Sequence, residues 1–366
     1  MESILVLTHA DETGSALTKA SLEAVTAGME LAGRLNAALA IGIVAVDANA
    51  ASAVATTGAR LLAVCGEAFA QPRYASDAAA CEALCRASRA SIVLAPGSAR
   101  FARVAAGVAY RLGGFIDTHI TDLNVAIIDG AESVEAGRWF YRQRVEGTLS
   151  RSTRPWFLLL DAGTYAPFAA EPGTASVEEI TVELPVLRTT VTGVRAPQHG
   201  AQTIRPDAKL LLVAGAGWTK KQPDGQTHAR EAGDLILGFV RAAGASLGSS
   251  KSLVDQGGEG QPVLPFLTHL NQVGQTGSTP RHAKGLSTCC HGEEPHVVGW
   301  RFIGERRAIS LDSNCGWTRG KADVVYVADA FQVMAKLNAL LNAAKAQDGR
   351  TLKASEDEVN LAVCRS

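Results

Sequence analysis

The sequence predicts an α/β fold made of two α/β domains. Three observations carry this. Short apolar runs alternate with helically spaced apolar stripes from residue 3 to residue 112. A second alternation of the same kind begins at Leu210. Between them lies an apolar-poor stretch, Leu187 to Pro206, which contains Pro197 and Pro206 and reads as a linker. The expected domains are therefore 1–186 and 207–345, joined by a hinge at 187–206 and followed by a polar tail of mixed charge at 346–366. The first should carry a mainly parallel sheet with some antiparallel strands. The second should be a doubly wound sheet.

In chain order, Ser3 to Thr8 is a short apolar run of the kind that forms a strand buried on both faces. Leu17 to Leu35 sets Leu22, Val25, Met29 and Leu35 close to one helical stripe. Leu39 to Val46, Leu61 to Cys65 and Ser91 to Pro96 read as strands, and Ala75 to Ser88 and Ala102 to Leu112 as helices. From Ile120 to Pro185 the pattern changes. Val125 to Ile128, Arg138 to Arg144, Gly147 to Arg151 and Trp156 to Leu160 are short and strand-like, and turn residues separate most of them, so antiparallel elements are expected. In the second domain Leu210 to Val213 is a strand leading into Gly215-Ala216-Gly217. Arg230 to Ala243 is a helix with Leu235, Ile236, Phe239 and Val240 on one face. Lys251 to Val254, Ala308 to Leu311 and Val324 to Val327 read as strands, and Phe331 to Ala344 as a helix. The residues after it read as a tail or an arm that packs on a partner.

Composition excludes some classes. A formal net charge of −1 gives no electrostatic basis for a nucleic-acid partner. No window reaches the roughly 18 apolar residues of a membrane span. The start, MESILVLTHADE, lacks the basic and apolar regions of a secretory signal, so the cytoplasm is the expected compartment. There are seven cysteines and no C-x-x-C pair. Cys289, Cys290 and Cys315 lie near His291 and His296, but without the paired spacing of structural zinc, and buried small hydrophobes are the better reading of most thiols. A zinc hydrolase built on that cluster stays open as an alternative. So does a nucleotide-binding module without redox chemistry. No ordered Ser/His/Asp set and no convincing carboxylate pair points to an enzyme with its own small substrate.

The chemistry concentrates in loops of the second domain. A glycine turn after a strand, such as Gly215-Ala216-Gly217, is a common place to hold a phosphate. Here Trp218 to His228 separates the turn from the next helix, so the dinucleotide fingerprint is not met. The stronger signal is Gln272-Val273-Gly274-Gln275-Thr276-Gly277, where two glycines frame a Gln and a Thr that could serve a planar polar ligand. The plain alternative is a glycine-rich surface turn.

Q-V-G-Q-T-G resembles the flavin-loop signature of electron-transfer flavoprotein alpha subunits, and the surrounding order is similar too. Gly248-Ser249-Ser250-Lys251-Ser252-Leu253-Val254-Asp255 resembles G-A-S-R-x-x-V-D, and Val213-Ala214-Gly215-Ala216-Gly217 resembles V-S-G-G-R. His296-Val297-Val298-Gly299 resembles H-L-x-G, Ala308-Ile309-Ser310 resembles A-I-N, and Tyr326-Val327-Ala328-Asp329 resembles G-I-V-x-D. Arg142 to Pro167 resembles the stretch that precedes the family's linker.

The resemblance implies an electron carrier that binds FAD in the second domain. The first domain would pack on a beta subunit carrying AMP. Donors would be flavoprotein dehydrogenases, and the acceptor a membrane quinone oxidoreductase. It implies that Thr276 places its hydroxyl near flavin N5, that His296 faces the pyrimidine edge, that Lys251 is the cation above the ring and that Asp329 holds the adenosine end. The alternatives are a turn-capping Thr, a structural His, a surface Lys and a helix N-cap. Ser250, Gln272, Val273, Gly274, Gln275 and Gly277 would complete the flavin side, with Gly217 and Ser310 beside them. Several positions depart from the family. Gly217 and Lys251 stand where it has Arg, and Ser310 where it has Asn. Its S-G-A-I-Q-H loop reads His291-Gly292-Glu293-Glu294-Pro295-His296. Pro295 cannot donate an N–H, and Glu293 and Glu294 add negative charge where the family puts the FAD pyrophosphate. Lys220 or Lys221 would then supply the missing cation.

Overall fold

The computed structural model describes residues 2–363 apart from 12, 13, 15, 129, 141–144, 194–203, 206–207, 256–261, 274–280, 289–302 and 314–321; for 348–363 it describes the backbone alone. The chain divides into two units, Met1–Ala196 and Pro197–Ser366.

The first unit is a nine-stranded mixed sheet with helices on both faces. Its elements are β1 (Ser3–His9), α1 (Lys19–Leu35), β2 (Ala38–Ala45), β3 (Arg60–Cys65), α2 (Tyr74–Ser88), β4 (Ile92–Pro96), α3 (Ala99–Arg111), β5 (Phe115–Ile128), β6 (Ala131–Phe140), β7 (Val145–Leu149), β8 (Trp156–Leu160) and β9 (Val177–Glu179). The spatial order is β7-β6-β5-β8-β4-β1-β2-β3-β9. From β5 to β9 every neighbouring pair is parallel, while β6 runs antiparallel to both β5 and β7.

The continuous apolar runs have a direct cause. Ile4 and Val6 face one core with Ala24, Ala27 and Leu31 of α1, whereas Leu5 and Leu7 face another with Leu84 of α2 and Phe101 and Val104 of α3. A central strand buried on both faces has no polar side to alternate with. The helices begin and end where local chemistry allows. Thr18 accepts the Ser21 N–H at 3.2 Å to start α1, and Asn36 ends it in the left-handed region at φ 47°. Ser98 caps α3 through the Phe101 N–H. Cys81 and Cys85 pack inside α2, where burial pushes the Cys85 thiol up to about 12 and that of Cys81 well above its usual range. Both behave as small hydrophobes.

The antiparallel part differs in detail from the sequence reading. Val125 to Ile128 is the end of a strand of 14 residues. Segments 138–144 and 147–151 contribute strands at Ala131–Phe140 and Val145–Leu149.

The second unit holds a five-stranded parallel sheet, ordered β11-β10-β12-β13-β14. Its strands are β10 (Leu210–Ala214), β11 (Ser246–Ser249), β12 (His282–Thr288), β13 (Ile303–Ser310) and β14 (Val324–Val327). Helices α4 (Ala229–Ala243) and α6 (Ala330–Val363) share a core with Leu212, Leu247, Leu286 and Ile309 on one face of that sheet. One expectation is corrected here. Lys251 to Val254 is not a strand, because the strand is Ser246–Ser249 and the chain then turns into the short helix α5 (Lys251–Asp255). Ser250 drives the turn: its hydroxyl accepts the Leu253 N–H at 3.2 Å, which caps the helix. The last helix, α6, runs without a break to Val363 and so takes in most of the segment expected as a polar tail. Lys345, Ala346 and Gln347 are good helix formers and no Pro interrupts them. Among the described residues no helix is long and apolar enough to cross a membrane.

Candidate functional site

In a parallel sheet all strands finish at the same edge. In the second unit β11 and β12 follow β10 in the chain but lie on opposite sides of it. The order reverses between β10 and β12, and ligands of open α/β sheets bind outside the carboxyl ends of strands at such a switch point.

The described candidate residues lie along that edge. Gly217 belongs to a buried single 3₁₀ turn, Ala216–Thr219, directly after β10. Its carbonyl accepts from the Lys220 N–H at 3.3 Å and from Gln222 Nε2 at 3.2 Å. Ser250 follows β11, and its N–H reaches the Ala214 carbonyl at 2.8 Å, tying the ends of β10 and β11 together. Lys251 is the first residue of α5, with its Nζ 3.7 Å from Asp255 Oδ2. Ser310 ends β13. Its hydroxyl donates to the Asp312 carbonyl at 3.1 Å and accepts the Asp312 N–H at 3.2 Å. Asp329 precedes α6, and its Oδ1 accepts the Phe331 N–H at 2.7 Å, which is a helix-capping bond.

Gln272 and Val273 are held as a short extension of the sheet. Ser249 and Gln272 form a parallel bridge, and the Val273 N–H donates to the Ser249 carbonyl at 3.0 Å. One residue earlier, Asn271 Nδ2 donates to the Leu247 carbonyl at 3.2 Å. Val273 is thus fixed beside Ser249, at the end of β11. Gly274, Gln275, Thr276 and Gly277 themselves lie outside the described residues, as do His291, Gly292, Glu293, Glu294, Pro295 and His296.

The close approach of Val273 explains Gly248. A Cβ at that position would sit 2.4 Å from Val273 Cγ2, inside any real contact distance. Gly248→Ala is expected to cost about 1–3 kcal/mol as an overpacked site and to lift Val273 off β11. Denaturant unfolding together with ligand retention checks this. A variant within about 0.5 kcal/mol of the parent would show that this edge is not closely packed.

Sequence reasoning missed two residues at the edge. The Trp218 indole is fully buried, and its Nε1 donates to Thr288 Oγ1 at 2.7 Å. Thr288 ends β12 and its own hydroxyl donates to the Val213 carbonyl at 3.1 Å, so the pair fastens β12 to β10 at the switch point. The Trp lay in a polar stretch and the Thr in a strand with little apolar signal. A lone Trp four residues after the end of β10 was the one clue available.

Among the described residues no group of three or more His, Cys, Asp or Glu side chains could hold a metal ion. The Cys289, Cys290, His291, His296 and Cys315 cluster lies outside them. Among the described residues one polar atom at the edge stands without a partner. Ser249 is fully buried at the last position of β11, and its hydroxyl has no hydrogen-bond partner among the described residues.

Comparison with known proteins bears on the first unit. No curated protein matches the chain. Residues 6–185 match the family described as the electron transfer flavoprotein domain. Those residues span the sheet from β1 to β9. The chain belongs to the electron transfer flavoprotein family.

Proposed function

We propose that this chain is the alpha subunit of a heterodimeric electron-transfer flavoprotein and that its second unit holds FAD at the carboxyl edge of the five-stranded sheet. One observation carries the reading. Gly217, Ser250, Lys251, Gln272, Val273, Ser310 and Asp329 come from separate stretches of sequence, yet all follow strand ends at one edge or extend that edge.

The donor set fits such a group. Small hydroxyl residues and a single-turn helix line the edge, and the buried Ser249 hydroxyl has no partner among the described residues. Bound FAD would supply the capacity to take up and release electrons, and the protein would set its orientation and electronics. Lys251 brings a positive charge on the first residue of α5, suited to negative charge on a reduced flavin. A Lys there is a compact, hydrated charge, not the planar, stacking group that Arg would be. By family resemblance Thr276 would serve N5 and His296 the pyrimidine edge. Asp329 has one oxygen committed to the helix cap, which leaves the other for the adenosine end. Lys220 and Lys221 follow the Gly217 turn and are the nearest cations in sequence for the pyrophosphate.

In this reading the first unit packs on a beta subunit that carries AMP, donors are flavoprotein dehydrogenases and the acceptor is a membrane quinone oxidoreductase. The chain is purified after co-expression with the beta subunit of its own operon, and its visible spectrum and flavin content are measured. A yellow, reducible heterodimer with about one FAD per alpha chain is expected. A colourless complex, or a zinc-loaded protein without flavin, would overturn the assignment.

A further inference from the structure

Asp255 ends α5, four residues after Lys251, so the helix puts both on one face. Its two oxygens are divided. Oδ2 lies 3.7 Å from the Lys251 Nζ, and Oδ1 lies 3.7 Å from His269 Nδ1. His269 opens the single turn His269–Asn271, which is started by a reciprocal capping pair of Thr268 and Asn271. That turn delivers Gln272 and Val273 to the edge of β11. One carboxylate therefore spans the helix that carries Lys251 and the segment that leads into the Gly274–Gly277 loop.

An ion pair of this length between partly exposed groups, as Lys251 and Asp255 are, contributes little to stability. Its effect on a nearby charge is larger, because a carboxylate beside an ammonium cancels much of its field a few ångströms away. We infer that Asp255 is a positioning residue and counter-ion that sets how much of the Lys251 charge reaches a flavin bound at this edge. The inference rests on the reading that FAD occupies that edge with Lys251 facing it. A reduced flavin gains negative charge. A free ammonium favours reduction strongly, and an ammonium paired with a carboxylate favours it less.

The test uses the FAD-loaded heterodimer and measures the flavin midpoint potential by equilibrium titration with redox dyes. Lys251→Ala should lower the potential. Asp255→Asn should raise it, by about three- to tenfold in the one-electron equilibrium, where tenfold corresponds to about 59 mV. Asp255→Glu keeps the charge and should stay near the parent. Asp255→Ser provides a second neutral variant. If Lys251→Ala shifts the potential while both neutral variants leave it unchanged or lower it, the inference is overturned and the flavin assignment stands. If neither Lys251→Ala nor Asp255→Asn moves it with FAD still bound, the flavin has been assigned to the wrong residues and the inference falls with that reading. Loss of FAD from both neutral variants, but not from Asp255→Glu, would replace the potential-setting role with a structural one.

Discussion

Trp218→Ala should destabilise the second unit by about 3–5 kcal/mol, the usual cost of removing a buried Trp from a packed core, and should release most of any bound flavin. The indole is fully buried and packs on Phe331 of α6, with ring centroids 4.7 Å apart and planes at 57°. It also closes a short chain of polar contacts. Trp218 Nε1 donates to the Thr288 hydroxyl, Thr288 donates to the Val213 carbonyl, and the Gly215 N–H donates to the Thr288 carbonyl at 2.9 Å. Removing the indole opens a cavity between the sheet and α6 and frees the ends of β10 and β12 from each other. Those two ends form the switch point on which the proposed flavin edge depends. Trp218→Phe separates the two contributions. It keeps most of the ring but leaves the Thr288 hydroxyl without its donor, and should cost about 1 kcal/mol beyond the lost volume. Denaturant unfolding of both variants, with flavin content measured alongside, provides the check. An Ala variant that unfolds at the parent midpoint would mean the indole is not part of the core.

Much of this fold is legible in the sequence, for one physical reason. Strands such as 3–9 and 92–96 are buried on both faces, so every side chain is apolar and the run stands out. The helix at 19–35 buries only one side and shows its stripe. Legibility fails where a strand is held by hydrogen bonds more than by apolar packing. His282–Thr288 contains His, Lys, Gly, Ser and Thr, yet it lies between β10 and β13. Its Gly285 and Ser287 leave it almost no apolar signature. Ser246–Ser249 is hidden in the same way, because Gly248 must be small for Val273 to approach. The more apolar Leu253-Val254 therefore looked like the strand, although Ser250 turns those residues into a helix.

Residue types in the motifs point to strand ends and say less about the strands themselves. Seven candidates drawn from the motifs reach one edge of one sheet. Motif order alone could not reveal what joins them. The Trp218–Thr288 contact links residues 70 apart, and the Asp255–His269 pair joins two stretches whose separate motifs give no hint of a contact.

The other large effect belongs to the first unit. Asp117→Ala should cost on the order of 3–5 kcal/mol, the loss expected when one partner of a buried ion pair is removed. Asp117 is 3% exposed. Arg151 holds it with two hydrogen bonds, Arg138 Nη1 lies 3.6 Å from Oδ1, and Trp156 Nε1 donates to Oδ2 at 2.9 Å. The carboxylate thus connects β5, β6, β8 and the segment after β7. Removing it leaves two guanidinium groups and a buried indole N–H without their acceptor. The pH dependence follows from the same contacts. Burial alone would raise the Asp117 carboxyl, but the Arg151 and Trp156 hydrogen bonds and the two arginine charges outweigh it and hold the carboxyl below its ordinary value. An unfolded Asp titrates near about 3.9. A group depressed in the folded state contributes fully above that pH and loses its contribution as pH falls through the folded value. The parent should therefore lose stability on acidification below about pH 4, and Asp117→Asn should lose less over the same interval because it has nothing there to titrate. Urea midpoints measured from pH 7 down to pH 3 test this. Parallel curves for parent and Asn variant across that range would show that Asp117 does not carry the acid sensitivity.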